Sequence, residues 1–200
     1  QVDRLSHICD DDVFYNCNKG EDFFFITGLT KLGIEKVPPL VGRGVLINMA
    51  KYFGIDNMEG GQGITRENIQ EAAKQQNVTL KKGDIIIFHT GWTDAKLKSS
   101  PEEWGSTIPG ITNDAAVYLA SLNPMAVGAD TWGLGAVPPI EGDKVYYDHV
   151  TLIKENGIYI LETMNTGKLA SEGVSEFMFV LGQPKIKGAV QMIINPVALW

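Results

Sequence analysis

The sequence predicts an α/β fold organised around a mixed β-sheet, and three observations carry that expectation. Asp84-Ile85-Ile86-Ile87-Phe88-His89 is a nearly continuous apolar run of strand length. A run without polar alternation suits a strand covered on both faces, as in a parallel sheet flanked by helices. Helical and extended patterns alternate along the chain, which is how α/β architectures read. Some links between extended runs are too short to hold a crossover, so part of the sheet is expected to be antiparallel.

In chain order, the first clear element is Gly42-Arg43-Gly44-Val45-Leu46-Ile47-Asn48, a β-rich run entered from the turn at Pro38-Pro39. A helix opens at Ile64-Thr65-Arg66-Glu67-Asn68-Ile69. Thr65 supplies the side-chain oxygen that an N-cap needs, Glu67 sits in the first turn, and Ile69, Ala72 and Ala73 share one face. Residues 78–83 turn the chain into the 84–89 run. Residues 112–122 read as a second helix, 126–129 as a short buried strand, and 157–162 as a strand ending on the acid Glu162. A helical turn is expected at 169–173, with closing strands at 177–181 and 190–194. The Gly/Pro-rich stretch 133–142 reads as a long loop, and such loops in compact domains often border a site.

The chain of 200 residues is long enough for one domain with a substantial core, and a single domain over 1–200 is expected. Net charge is −7, and the 17 Lys and Arg are scattered rather than gathered into a stripe. Nucleic acid and anionic membrane are therefore excluded as expected partners. The longest apolar runs are strand-length, far short of a membrane span. Cys9 and Cys17 make neither a disulfide framework nor a Cys-rich zinc site, and two free thiols in a reducing compartment are expected. A cytoplasmic location follows as the expectation. Gln1 falls directly into a patterned segment, so a processed or truncated amino end is also expected.

Three histidines can be weighed one by one. In Gln1-Val2-Asp3-Arg4-Leu5-Ser6-His7, an extended start would put Gln1 and Asp3 on one face with His7 four residues on. That set is either a metal cluster or an exposed segment with an incidental histidine. His149 precedes Glu162 by thirteen residues, and both can reach one mouth of the sheet. A carboxylate closing an apolar strand needs a partner, which a metal, an Arg or a Lys can supply. His89, ending the 84–89 run, reads as a hydrogen-bonded structural residue. Other chemistries lack their residues. Gly42-Arg43-Gly44 has no Gly-Lys-Ser/Thr ending, Gly133-Leu134-Gly135 has no dinucleotide-binding context, and no Gly-x-Ser-x-Gly elbow occurs.

The ordered set of segments resembles the cyclase family of metal-dependent hydrolases, which includes kynurenine formamidases, isatin hydrolases and trans-dienelactone hydrolases. The family signature is His-x-Gly-Thr-His-x-Asp-x-x-x-His, and residues 1–7 are similar to its last seven positions. The likeness continues through Phe14-Tyr15-Asn16, Val41-Gly42-Arg43-Gly44, Lys82-Gly83-Asp84, Thr90-Gly91-Trp92 and Gly128-Ala129-Asp130-Thr131-Trp132. It ends with His149, the 157–162 strand, Glu176-Phe177 and Gly188-Ala189.

The resemblance implies a swivelling β/β/α domain that forms a homodimer or homotetramer. It implies metal ligation by Gln1, Asp3, His149 and Glu162, with Gln1 standing where the signature has a histidine. A neutral amide is a poorer zinc ligand than imidazole, so one divalent ion, Zn or Mn, is expected rather than two. His7 resembles the histidine that moves protons at a small-molecule substrate, in hydrolysis of an amide, formamide, cyclic amide or lactone bond. Phe23, Phe24, Trp92 and Trp132 are candidates for an apolar substrate wall. Asp130 is placed beside the substrate, where it could orient His149 or His7. Two alternatives stand beside this: a non-catalytic binding protein that kept the fold and lost ligands, and a non-haem Fe(II) enzyme.

Overall fold

A computed structural model describes residues 1–200. One eight-stranded sheet runs through it, made of β1 (Val2–Asp3), β2 (Leu40–Asn48), β3 (Ile85–His89), β4 (Ala126–Ala129), β5 (Tyr159–Leu161), β6 (Glu176–Leu181), β7 (Gln191–Met192) and β8 (Val197–Leu199). Their spatial order is β7-β1-β5-β4-β3-β2-β6-β8. The four central strands are mutually parallel, whereas β1 and β7 on one side and β6 and β8 on the other are antiparallel to their neighbours. The expected α/β fold with a mixed sheet is the one observed.

All five residues of β3 are buried, because apolar side chains cover both faces. On one face Val45, Ile47, Ile86, Phe88, Val127 and Ile160 pack against the helices that link the parallel strands. On the other, Leu46, Ile85, Ile87 and Leu161 meet Phe177, Phe179 and Leu181. Each such side chain, taken fully out of water, contributes about 1.5–3 kcal/mol.

The helices are α1 (Met49–Phe53), α2 (Arg66–Gln75), α3 (Trp92–Lys96), α4 (Pro101–Ser106), α5 (Asn113–Ser121), α6 (Tyr147–His149) and α7 (Gly167–Ser171). Thr65 caps α2 as its sequence position predicts. Asn68 N donates to Thr65 Oγ1 at 3.2 Å, and Thr65 N donates to Asn68 Oδ1 at 3.0 Å. This reciprocal box satisfies two amides that the first helical turn otherwise leaves free. No helix is long and apolar enough to cross a membrane.

Three features depart from the sequence expectation. The closing strand expected at 190–194 is only Gln191–Met192, and β8 follows it as an unexpected edge strand. Helices α3 and α4 lie where no helical period was apparent, both too short to show one. No element was expected between His149 and the 157–162 strand, where the chain continues α6 as a π-helix over Val150–Glu155. The Thr151-Leu152-Ile153 run is buried and anchors this helix on the sheet.

Candidate metal centre

Strand pairing assembles the site. Antiparallel β1 and β5 are in register Val2↔Leu161 and Asp3↔Ile160, and Glu162 N donates to Gln1 O at 3.0 Å. Directly opposed residues share a face and alternate along each strand. Gln1, Asp3 and Glu162 therefore project to the same side as Ile160, the side covered by the α6 and π-helical segment. His149 descends from that segment, held by Leu152 and Ile153 in the core beneath it. His7 comes from the turn after β1, fixed by its amide donating to Arg4 O at 2.8 Å.

The four ionisable groups converge. His149 Nε2 lies 3.2 Å from Glu162 Oε1 and 3.7 Å from Asp3 Oδ2. His7 Nε2 is 3.9 Å from the same Asp3 oxygen. Ligand atoms of Asp3, His7 and His149 all lie within 4.8 Å of one another. Asp3, His149 and Glu162 are buried, while the His7 side chain keeps 26% of its surface exposed.

The outward oxygens are braced. Asp3 Oδ1 accepts from Gln191 Nε2 at 2.8 Å and from Gln1 Nε2 at 3.3 Å, and Glu162 Oε2 accepts from Gln1 Nε2 at 2.6 Å. The inward oxygens are not: Asp3 Oδ2 and Glu162 Oε1 are buried without a hydrogen bond. Leaving a buried acceptor unmade costs about 1–3 kcal/mol, and more for a charged group. Donor atoms at zinc bonding distance around a tetrahedral ion stand about 3.3–3.6 Å apart. The 3.2 and 3.7 Å separations around His149 Nε2 match that spacing. Two oxygens and an imidazole nitrogen are donors that divalent ions accept, so the residues present fit a divalent metal ion. Gln1, expected among the ligands, presents its amide nitrogen and acts as a donor that orients both carboxylates.

Charge in the metal-free cluster follows from burial and proximity. Burial alone would lower the His149 pKa, but the carboxylates of Asp148, Asp3 and Glu162 around the ring outweigh it and lift the value well above the ordinary 6.5. Burial, reinforced by the charge of Asp3, raises Glu162. Asp3 ends below its usual value because contacts with His149, His7 and Gln191 overcome burial. Burial lowers His7, with partial opposition from Asp3.

A cavity of about 250 Å³ opens directly onto the cluster, lined by Gln1, His7, Ile8, Trp132, Gly133, Tyr146, His149 and Glu162. Of the expected wall residues only Trp132 lies here. Phe23 is fully buried against Phe14 and Leu29, and Phe24 is half exposed and stacked on Phe14 at 5.6 Å. Trp92 is buried at the start of α3, so aromatic character at these three positions serves packing rather than the cavity. Asp130 is also corrected: its Oδ1 accepts from Thr90 N at 2.9 Å and Thr90 Oγ1 at 2.7 Å, and its Oδ2 is 3.8 Å from His89 Nδ1. It therefore orients neither His149 nor His7. His89 Nδ1 meets Thr166 Oγ1 at 2.7 Å, outside the cluster.

Sequence reasoning passed over Tyr146 and Asp148. Tyr146 stands edge-on to His149 at 5.8 Å between ring centroids, on a left-handed backbone with φ of 58°. Asp148 Oδ2 is 2.9 Å from His149 Nδ1. The adjacency Asp148-His149 was the available signal, but neighbours in a helix ordinarily diverge, so it pointed nowhere without the fold.

The "Putative cyclase" family model matches residues 1–136, a span that includes Asp3 and His7 and stops short of His149 and Glu162. Among solved structures, the crystal structure of a novel cyclase shares 28% identity at a TM-score of 0.88, covering 100% of this chain and 67% of its own. Isatin hydrolase A from Labrenzia aggregata, solved with benzyl benzoate, has 18% identity and a TM-score of 0.65, covering 99% of this chain and 71% of its own. A "predicted metal-dependent hydrolase" from Bacillus stearothermophilus has 18% identity and a TM-score of 0.60, covering 98% and 74%. The last two establish fold likeness alone. No curated protein sequence matches. With the family model spanning more than half its length, and the mixed sheet bringing the expected acidic and histidine residues together, this chain belongs to the cyclase family.

Proposed function

We propose that the protein is a metal-dependent hydrolase that cleaves an amide, formamide, cyclic amide or lactone bond of a small substrate. One observation carries the reading: two buried, unbonded carboxylate oxygens converge with two imidazoles on the floor of an open cavity. Asp3, His149 and Glu162 hold one Zn²⁺ or Mn²⁺ ion, and Gln1 and Gln191 keep the carboxylates aimed inward. A divalent ion at this place supplies Lewis-acid polarisation of an acyl carbonyl and makes water acidic enough to ionise near neutral pH.

His7 sits at the lip of the cavity, and burial lowers its pKa, which favours the neutral ring. Its Nε2 takes the proton from attacking water and returns it to the departing nitrogen or oxygen as the acyl bond breaks. Trp132 and Tyr146 wall the cavity beside His149 and limit the water around the reacting carbonyl. We further read the chain as a homodimer or homotetramer in the cytoplasm. The exposed apolar tip at Phe25-Ile26 supports association, and sedimentation measures it.

Elemental analysis tests the central claim, with about one divalent ion per chain expected, alongside a turnover screen of aryl formamides, cyclic imides and lactones in metal-stripped and reconstituted protein. Protein that takes up no ion removes the hydrolase reading. Protein that binds the ion and turns over none of these classes is a binding protein on the same fold.

A further inference from the structure

We infer that Asp148 is the positioning residue that fixes the ring of His149 and sets how tightly this site holds its cation, an inference that rests on the metal reading above. Asp148 is buried, and its Oδ2 lies 2.9 Å from His149 Nδ1. A carboxylate there holds the proton on Nδ1 and leaves the Nε2 lone pair facing Asp3 Oδ2 and Glu162 Oε1. Carboxylate–imidazole pairs of this kind fix the tautomer, restrain ring rotation and raise the basicity of the ligating nitrogen.

The contact is built rather than incidental. Side chains one apart on a helix normally point about 100° away from each other. Here Tyr146, left-handed at φ 58°, precedes the three-residue α6, and the chain then passes into a π-helix. Behind the carboxylate, Gly135 gives it room. A Cβ on Gly135 would stand 2.9 Å from Asp148 Oδ1 and 3.1 Å from its Cγ. No other side chain hydrogen-bonds to His149 Nδ1.

The test compares wild type with Asp148→Asn, Asp148→Ala and Gly135→Ala, using zinc alone as probe in competition with a chromophoric chelator. Asn can still accept from Nδ1–H but carries no charge, and Ala does neither. The expected order of affinity is wild type, then Asp148→Asn, then Asp148→Ala, with a total loss of about 10–100-fold. Gly135→Ala, which leaves Asp148 chemically intact but displaces it, should also weaken zinc. Circular dichroism and melting of the metal-free variants separate this from misfolding. A readout that packing alone would not move is the ¹⁵N spectrum of the zinc-loaded protein. His149 Nδ1–H should carry the downfield proton of a carboxylate-bound imidazole in wild type and lose it in Asp148→Asn. Folded variants with zinc affinity within twofold of wild type, or an unchanged Nδ1–H signal, overturn the role of Asp148 while leaving the metal site standing. Wild type that binds no zinc overturns both.

Discussion

Adding one methyl group at Gly128 tests whether the fold, and not the ligands alone, sets the metal centre. Gly128 is in register with Leu161 across the parallel β4–β5 pair, and Glu162 is the next residue. A Cβ at Gly128 would stand 2.5 Å from Leu161 O and 2.8 Å from Leu161 Cβ, against 3.4 Å for an ordinary contact. The obstructing atoms are a backbone oxygen and a Cβ fixed directly to the backbone, so no side-chain rotation relieves them. Strand β5 must retreat by about 0.9 Å, while ligand distances in a functional site tolerate only about ±0.2 Å. Overpacking of this kind costs about 1–3 kcal/mol. At about 2–4 °C per kcal/mol for a chain of this size, the Tm of metal-free Gly128→Ala should fall by about 2–12 °C. The added stabilisation that zinc gives wild type should shrink as Glu162 is carried away. The assay is thermal melting with and without zinc. Gly42→Ala is the control: its nearest atom to a new Cβ is 3.8 Å away, and it should melt near wild type. Gly128→Ala melting like wild type, with the full zinc shift, would refute the claim that close β4–β5 packing places Glu162.

Glu162→Gln removes the charge from one inward oxygen while keeping shape, and isothermal titration should show zinc affinity lower by about tenfold or more; equal affinity would make Glu162 purely structural. His7→Ala should cut kcat by about 10²–10⁴ with metal content unchanged, the size of a lost general base. Metal lost along with activity would instead make His7 a ligand, which its place in the cluster permits. Metal-free protein should melt highest at acidic to neutral pH. The raised pKa of His149 contributes stability in full below about 6.5, its unfolded value, and loses it as pH climbs through the folded value. Raised Glu162 works in the same direction. Melting curves across pH 6 to 9 in chelator check this, and a Tm that climbs over that range would count against a raised His149.

Double-sided burial made the centre of the sheet legible in advance, because Ile85, Ile86, Ile87 and Phe88 have no polar partner with which to alternate. Glu162 stood out for the opposite reason, as an ionisable group at the end of a buried strand. Spacing left Asp3 and His7 open between a metal cluster and an incidental histidine, and the resemblance to the cyclase signature is what singled them out. Aromatic residues misled: Phe23 and Trp92 carry no sequence mark that distinguishes a core filler from a cavity wall. The direction of Asp130 could not be read either, because strand β4 ends one residue earlier and the chain bends there. Tyr146 and Asp148 needed the helical path from 147 to 155, and a three-residue α-helix running into a π-helix shows no 3.6-residue period to find.

The cluster is costly in the form described, and that cost bears on how the molecule is held together. Asp3, Glu162 and Asp148 are three buried acids around one imidazole, and two of their oxygens lack partners. Nothing in local propensity would select this arrangement. It is imposed by strands whose apolar residues pack on both faces, and by a helix anchored through Leu152 and Ile153. A cation held there relieves both unbonded oxygens at once and displaces the proton on His149. The folded state alone offers that ligand set, since Asp3 and Glu162 come together only through the β1–β5 pairing. Binding therefore adds to stability as RT ln(1 + [L]/Kd), about 2.7 kcal/mol at a hundredfold excess over Kd. On the reading proposed above, an ion held there would stabilise the β1–β5 pairing as well as serve chemistry in the cavity.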